Sequence, residues 1–132
     1  MTAPPTSELP PLRLALLLYP GCMPAGLFAV ADMARAANVR QPHSAIHTQW
    51  VGVDLQSVPT WQGPALAPSA MLAGAEVDAV LVPGLWLSSA EGLEALLRQL
   101  APVVQALAAL PRPVQVWSYC AGVALAAASG RL

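Results

Sequence analysis

Val114-Gln115-Val116-Trp117-Ser118-Tyr119-Cys120-Ala121-Gly122-Val123-Ala124-Leu125-Ala126 is the stretch on which the reading of this chain turns. β-Branched apolar residues feed straight into Cys-Ala-Gly, and a run of small, helix-compatible residues follows. That order predicts strand, tight turn, helix. Such a turn lifts one side chain to the tip of a sheet, beside the N–H groups that open a helix. A thiol held there is a candidate nucleophile. The plainer alternative is a buried structural cysteine, because a free Cys packs as a small hydrophobe.

The same alternation extends upstream. Arg13–Tyr19 reads as a buried strand stopped by Pro20-Gly21. Pro24 suits the first turn of a helix. Leu27, Val30, Ala31, Ala34 and Ala37 then form a helical stripe, with Asn38 as the stop. Ile46–Val53 predicts a second strand. Residues 54–76 hold Pro59, Gly63, Pro64, Pro68 and Gly74 in turn positions and allow a short hairpin around Val58–Gln62. Val77–Val82 predicts a third buried strand, ended by Pro83-Gly84. Ser88 and Glu91 have capping-box spacing before a helix carrying Leu93, Leu96, Leu97 and Leu100. Pro102 should kink or restart that helix. Strands alternating with helices argue for an α/β fold with a parallel sheet. In such sheets ligands bind outside the carboxyl ends of the strands. Three loops leave strand ends: Pro20–Pro24, Pro83–Ser88 and Tyr119–Gly122.

The bulk properties exclude several classes. The chain has 132 residues, 56% of them hydrophobic and 10% charged, enough for one domain at most. No apolar run approaches the roughly 20 residues a membrane span needs, so the hydrophobicity is assigned to strands buried on both faces. The first twelve residues carry Glu8, several prolines and no basic residue, the wrong start for a secretory signal. Two cysteines without metal spacing make neither a disulfide framework nor a metal site, and a reducing cytoplasmic setting is the default. Net charge is −1, and the six arginines are scattered, so no basic stripe for nucleic acid exists.

Three stretches carry a family resemblance. Leu14–Asn38 contains the opening strand, a Pro-Gly turn and a helix ending in Asp32-Met33-Ala34-Arg35-Ala36-Ala37-Asn38. Asp78-Ala79-Val80-Leu81-Val82-Pro83-Gly84 is a strand ending in Pro-Gly. Ser118-Tyr119-Cys120-Ala121-Gly122 with Leu125-Ala126 is the turn already described. Together they resemble the PfpI family of the class I glutamine amidotransferase-like superfamily, closest to the sensor domains of GlxA-like AraC-type transcription regulators. The resemblance implies a flavodoxin-like parallel sheet flanked by helices, truncated after the helix that follows Cys120. It divides the chain into a disordered Pro-rich arm at residues 1–12 and a partial PfpI-like domain at 13–132.

The resemblance also implies a site. Cys120 would be the nucleophile. Gly84, Leu85, Trp86, Ala121 and Gly122 would bind an oxyanion or ligand, with Cys22 and Gly26 on the rim. Family enzymes place an acid near the start of the first helix, where this chain has Ala25 and Gly26. The histidine that other members supply after the cysteine would lie beyond Leu132 or directly after Cys120, where this chain has Ala121, and His43 and His47 lie in the wrong places for a triad. The implied function is therefore a non-catalytic ligand-sensing domain without its DNA-binding part. The alternatives are a cysteine-dependent hydrolase or isonitrile hydratase, and a non-functional fragment. No cofactor and no metal are expected. The expected partner is a small amide or amine metabolite, with no nucleic-acid or membrane contact by this chain; a homodimer is the assembly considered. Trp50, Trp61 and Trp117 are expected to pack, Trp86 to face the cleft.

Overall fold

The computed structural model describes residues 9–41, 43 and 45–132. Strand β1 (Leu12–Leu17) is followed by a short strand β2 (Cys22–Met23) and helix α1 (Ala25–Arg40). Strand β3 (Ile46–Gly52) comes next, then the short strands β4 (Val58–Pro59), β5 (Ala65–Leu66) and β6 (Ala70–Met71). Strands β7 (Ala79–Val82) and β8 (Gly84–Leu85) precede helices α2 (Glu91–Gln99) and α3 (Ala101–Ala108). Strand β9 (Gln115–Ser118) leads through a 3₁₀ turn at Cys120–Gly122 into helix α4 (Val123–Ala128).

The main sheet has the order β6-β3-β1-β7-β9, and every pairing in it is parallel. β1 is central, with Leu14 opposite Thr48 on one side and Ala79 on the other. Leu14 through Tyr19 are all buried, as are all four residues of β7. Strands covered on both faces need apolar side chains in both directions, which explains the uninterrupted runs. The crossover β1–α1–β3 and the crossover β7–α2–α3–β9 step in opposite directions. Right-handed connections therefore place α1 on one face and α2–α3 on the other. The direction of winding reverses between β1 and β7, and the loops from these strands open at the same end of the sheet.

Several elements depart from the sequence reading. β1 begins at Leu12, so the last residue of the expected arm already pairs with Ile46; residues 1–8 lie outside the described residues. β7 begins at Ala79, and the carboxylate of Asp78 just before it reaches across to β1. Its Oδ2 accepts the Arg13 N–H at 2.8 Å and its Oδ1 accepts the Arg13 guanidinium at 3.1 Å. The Asp78 side chain is thus a clip at the amino end of the sheet. α1 runs past Asn38 to Arg40. The Asn38 amide instead holds the start of β3, donating to the Ile46 carbonyl at 2.7 Å and accepting the N–H groups of Ala45 and Ile46. Ser89, not Ser88, serves the start of α2, its Oγ accepting the Gly92 N–H at 3.2 Å. Pro102 does restart the helix: α2 stops at Gln99, and Pro102 sits in the first turn of α3, where its missing N–H costs nothing. The Arg131 guanidinium clamps the link into β9 by donating to the carbonyls of Leu110, Pro111 and Val114. No helix among the described residues is long and apolar enough to cross a membrane.

Candidate functional site

Cys120 stands just beyond the carboxyl end of β9, at the first residue of the 3₁₀ turn. Its φ is +55°, and among the described residues it is the only non-glycine in the left-handed region. A side chain with a Cβ pays about 1–2 kcal/mol for that conformation. The turn holds because its surroundings leave no alternative. Tyr119 arrives extended, and its N–H donates to the Val82 carbonyl at 3.3 Å. The Gly122 N–H closes the turn onto the Tyr119 carbonyl at 3.1 Å. Cys120 is exposed to solvent, so the buried-cysteine alternative does not hold for it.

Two glycines make the close packing around Cys120 feasible. A Cβ on Gly122 would collide with the Pro83 carbonyl oxygen and stand 2.8 Å from that of Val82. A Cβ on Gly84 would stand 2.9 Å from the Cys120 Cβ and 3.3 Å from its Sγ. The Pro83-Gly84 bend and the Cys120 turn are therefore in backbone contact, from two strands that are neighbours in the sheet. Of the expected ligand-facing groups, Gly84, Leu85 and Gly122 are buried, Ala121 is half-buried, and Trp86 is exposed.

β8 does not simply leave the sheet. It turns back and pairs antiparallel with β2, Cys22 opposite Leu85 and Met23 opposite Gly84. This small ribbon joins two of the three strand-end loops. It also places Cys22 differently from expectation. Cys22 lies at the same end of the sheet as Cys120, but its side chain is fully buried, and burial raises its thiol pKa. Both thiols are unbridged. The Cys22 carbonyl accepts the Trp61 N–H at 3.0 Å, and the Gly21 N–H donates to the Pro59 carbonyl at 2.8 Å. These bonds dock the β4–β5 hairpin on the ribbon and bring Trp61 against Trp86, ring centroids 5.3 Å apart and nearly parallel at 26°. Both indoles remain more than half exposed. Trp50 packs instead against Phe28.

Two tyrosines that the sequence reading passed over organise the site. Tyr19, fully buried, donates its hydroxyl to the Pro83 carbonyl at 2.6 Å and lies 3.1 Å from the Gly84 carbonyl. It fixes the bend beneath Cys120. Burial raises its phenol pKa far above the ordinary value. The signal was a tyrosine at the end of a wholly apolar strand, since a buried phenol must find an acceptor. Tyr119 is half-buried and donates to the Met23 carbonyl at 2.8 Å. Its ring crosses the start of α1, where a Cβ on Gly26 would stand 2.5 Å from the ring and 2.8 Å from the hydroxyl oxygen. The missing side chain of Gly26 thus admits the phenol. Burial raises the Tyr119 pKa, against the N–H groups of Leu27 and Gly26, which favour the phenolate.

The histidines stand apart. His47 is the second residue of β3 and His43 precedes that strand. In a parallel sheet the amino end of β3 is opposite the carboxyl end of β9. The Arg13–Asp78 clip lies at that far end too. Among the described residues no three His, Cys, Asp or Glu side chains gather to hold a metal ion.

No protein-family model matches the sequence, and no curated protein matches it. Solved structures do match. A ThiJ/PfpI family protein from Pseudomonas syringae aligns with 100% of this chain and 52% of its own, at 19% identity and a TM-score of 0.66. Drosophila melanogaster DJ-1beta aligns with 91% of this chain and 61% of its own, at 20% identity and a TM-score of 0.64. A Vibrio parahaemolyticus protein described as a candidate transcriptional regulator aligns with 92% of this chain and 62% of its own, at 15% identity and a TM-score of 0.71. The chain has the fold of the ThiJ/PfpI and DJ-1 structures, an α/β flavodoxin-like arrangement, and spans about half to three-fifths of their length.

Proposed function

We propose that this chain is a ligand-sensing domain, related to the sensor part of AraC-type regulators, in which the Cys120 end of the sheet recognises a small amide or amine metabolite without turning it over. The observation that carries this reading is the pairing of Gly26 with Tyr119. A thiol nucleophile needs a group to take its proton. At the start of α1 this chain offers a glycine and a phenol kept protonated by burial and bonded to the Met23 carbonyl. A protonated phenol donates and does not serve as a base. His43 and His47 are at the other end of the sheet. The regulator description of the Vibrio neighbour supports the same reading. In this assignment the domain works in the cytoplasm and leaves DNA contact to another part of the protein.

A second reading has its own observation. An exposed thiol on a left-handed residue, packed against Gly84, is the arrangement a cysteine hydrolase or isonitrile hydratase would use. Alkylation by iodoacetamide, located by peptide mass, together with Cys120→Ser, separates the two. Sensing predicts that Cys120→Ser leaves ligand affinity nearly unchanged and that no product accumulates. Product formation that disappears in Cys120→Ser would replace sensing with the enzyme.

A further inference from the structure

A cavity of about 250 Å³ opens at the carboxyl ends of β1 and β3, between the turn after β3 and the junction of α2 with α3. It is distinct from the surroundings of Cys120. Its walls are apolar: Leu18, Val53, Val58, Leu100 and Val103. Its polar groups come from the turn at Asp54, Gln56 and Ser57 and from Gln99. An apolar pocket with a few convergent polar groups, at the carboxyl ends of parallel strands, is the usual form of a small-molecule site in this architecture.

The turn that brings Asp54 to the mouth is built for close approach. A Cβ on Gly52 would stand 2.7 Å from the Asp54 carbonyl oxygen and 2.9 Å from the Pro68 ring. Only glycine at the end of β3 lets the chain fold back so tightly. The Asp54 Oδ1 then accepts the Gln56 N–H at 2.9 Å. The second carboxylate oxygen makes no hydrogen bond within the described residues. No arginine lines the cavity, so Asp54 is the one formal charge there.

We infer that this cavity binds a small aliphatic ammonium, its hydrocarbon body against Leu18, Val53 and Val103 and its head on Asp54. The size follows from the volume. A cavity of about 250 Å³ lies just below the usual range for drug-sized ligands and so suits a small one. The charge follows from Asp54, and the short apolar body from the walls. An anionic ligand does not suit a cavity whose formal charge is Asp54. The inference deepens the sensing reading and rests on it, because it names the ligand class and gives it a place away from the thiol. The place is still connected to the thiol. Tyr19 lines the cavity, and its hydroxyl holds the Pro83-Gly84 bend on which Cys120 packs.

The test uses isoamylamine, with isoamyl alcohol as the neutral comparator of the same shape, in calorimetric titration and thermal shift of the whole chain. The amine should bind more tightly than the alcohol. Asp54→Asn, which can still accept the Gln56 N–H, should weaken the amine by about two- to fivefold, as loss of an exposed, solvent-screened ion pair predicts, and leave the alcohol unchanged. Ser57→Trp, an exposed position at the mouth, should block both probes while the protein still melts cooperatively. Equal affinity for amine and alcohol, amine binding indifferent to both variants, or no saturable binding would each overturn the inference. Amine binding that survives both variants leaves sensing standing at another place. Chemical conversion of the bound amine would overturn the sensing reading instead.

Discussion

Replacing Cys120 by glycine should leave the protein more stable than replacing it by alanine, although glycine is normally the weaker choice. Both substitutions remove the same exposed Sγ, so the comparison isolates the backbone. At φ +55° a Cβ costs about 1–2 kcal/mol, which glycine does not incur. Against this, glycine widens the unfolded ensemble by about 0.4–1 kcal/mol. The difference leaves Cys120→Gly ahead by about 0.5–1 kcal/mol. For a chain of this length that corresponds to roughly 2–4 °C in melting temperature. Urea denaturation followed by circular dichroism reads it as a higher midpoint at unchanged slope. The contacts around Gly122 and Gly84 give the reason the native turn cannot relax to escape the strain. If Cys120→Ala equals or exceeds Cys120→Gly, residue 120 is not held left-handed, and the account of why its thiol projects from the strand–helix junction is wrong.

Tyr19→Phe removes the donor from two carbonyls in the buried bend and should cost about 1–3 kcal/mol in urea titration. Because Tyr19 stays protonated when folded but ionises near pH 10 when unfolded, its contribution is complete below that pH and lost as pH rises through the folded value. The alkaline fall in stability should accordingly be shallower in Tyr19→Phe, and identical pH curves would contradict the burial argument. Gly26→Ala should destabilise by about 1–3 kcal/mol, since its Cβ meets the Tyr119 ring, and Tyr119→Ala should absorb most of that penalty in a double-mutant cycle. Additive penalties would show that the two residues do not share the space. The Asp78 carboxyl is held below its ordinary range by the Arg13 side chain and N–H. Its contribution is present above about pH 4 and disappears as pH falls through the folded value, so Asp78→Asn should flatten the acid limb of the stability curve. An unchanged acid limb would mean that the clip is broken in solution.

Much of the fold is legible in local sequence because its strands are covered on both faces. Leu14–Leu17 and Ala79–Val82 have no polar alternation to confuse them, and Pro20-Gly21 and Pro83-Gly84 mark their ends. The Cys-Ala-Gly turn is visible for the same reason, a β-branched run changing abruptly to a helical one. Pro102 restarts a helix because a missing N–H has the same consequence in any context. Short polar elements were less readable. Asp78, Asn38 and Ser89 are all residues that bond to backbone, and which backbone each reaches depends on what the fold brings near. Asn38 meets the start of β3, not the end of its own helix.

The site divides along the same line. The amino-acid sequence by itself determined that Cys120 follows a strand and opens a helix, that Gly84 and Gly122 flank it in the order expected, and that Ala25 and Gly26 offer no acid. Tertiary structure decided what those facts mean. Cys22 is buried where β2 pairs antiparallel with β8, while Cys120 stands exposed. The space left by Gly26 is filled by Tyr119, 93 positions later in the chain. The phenol of Tyr19, met as one more apolar residue in a strand, becomes the support of the Pro83-Gly84 bend. The stacking of Trp61 on Trp86 and the cavity beside Asp54 depend on where the β4–β5 hairpin and the α2–α3 junction come to rest. Each of these joins residues far apart in sequence. Periodicity and turn chemistry report only on neighbours along the chain, while a close contact, a buried hydrogen bond or a cavity exists only once distant segments have packed.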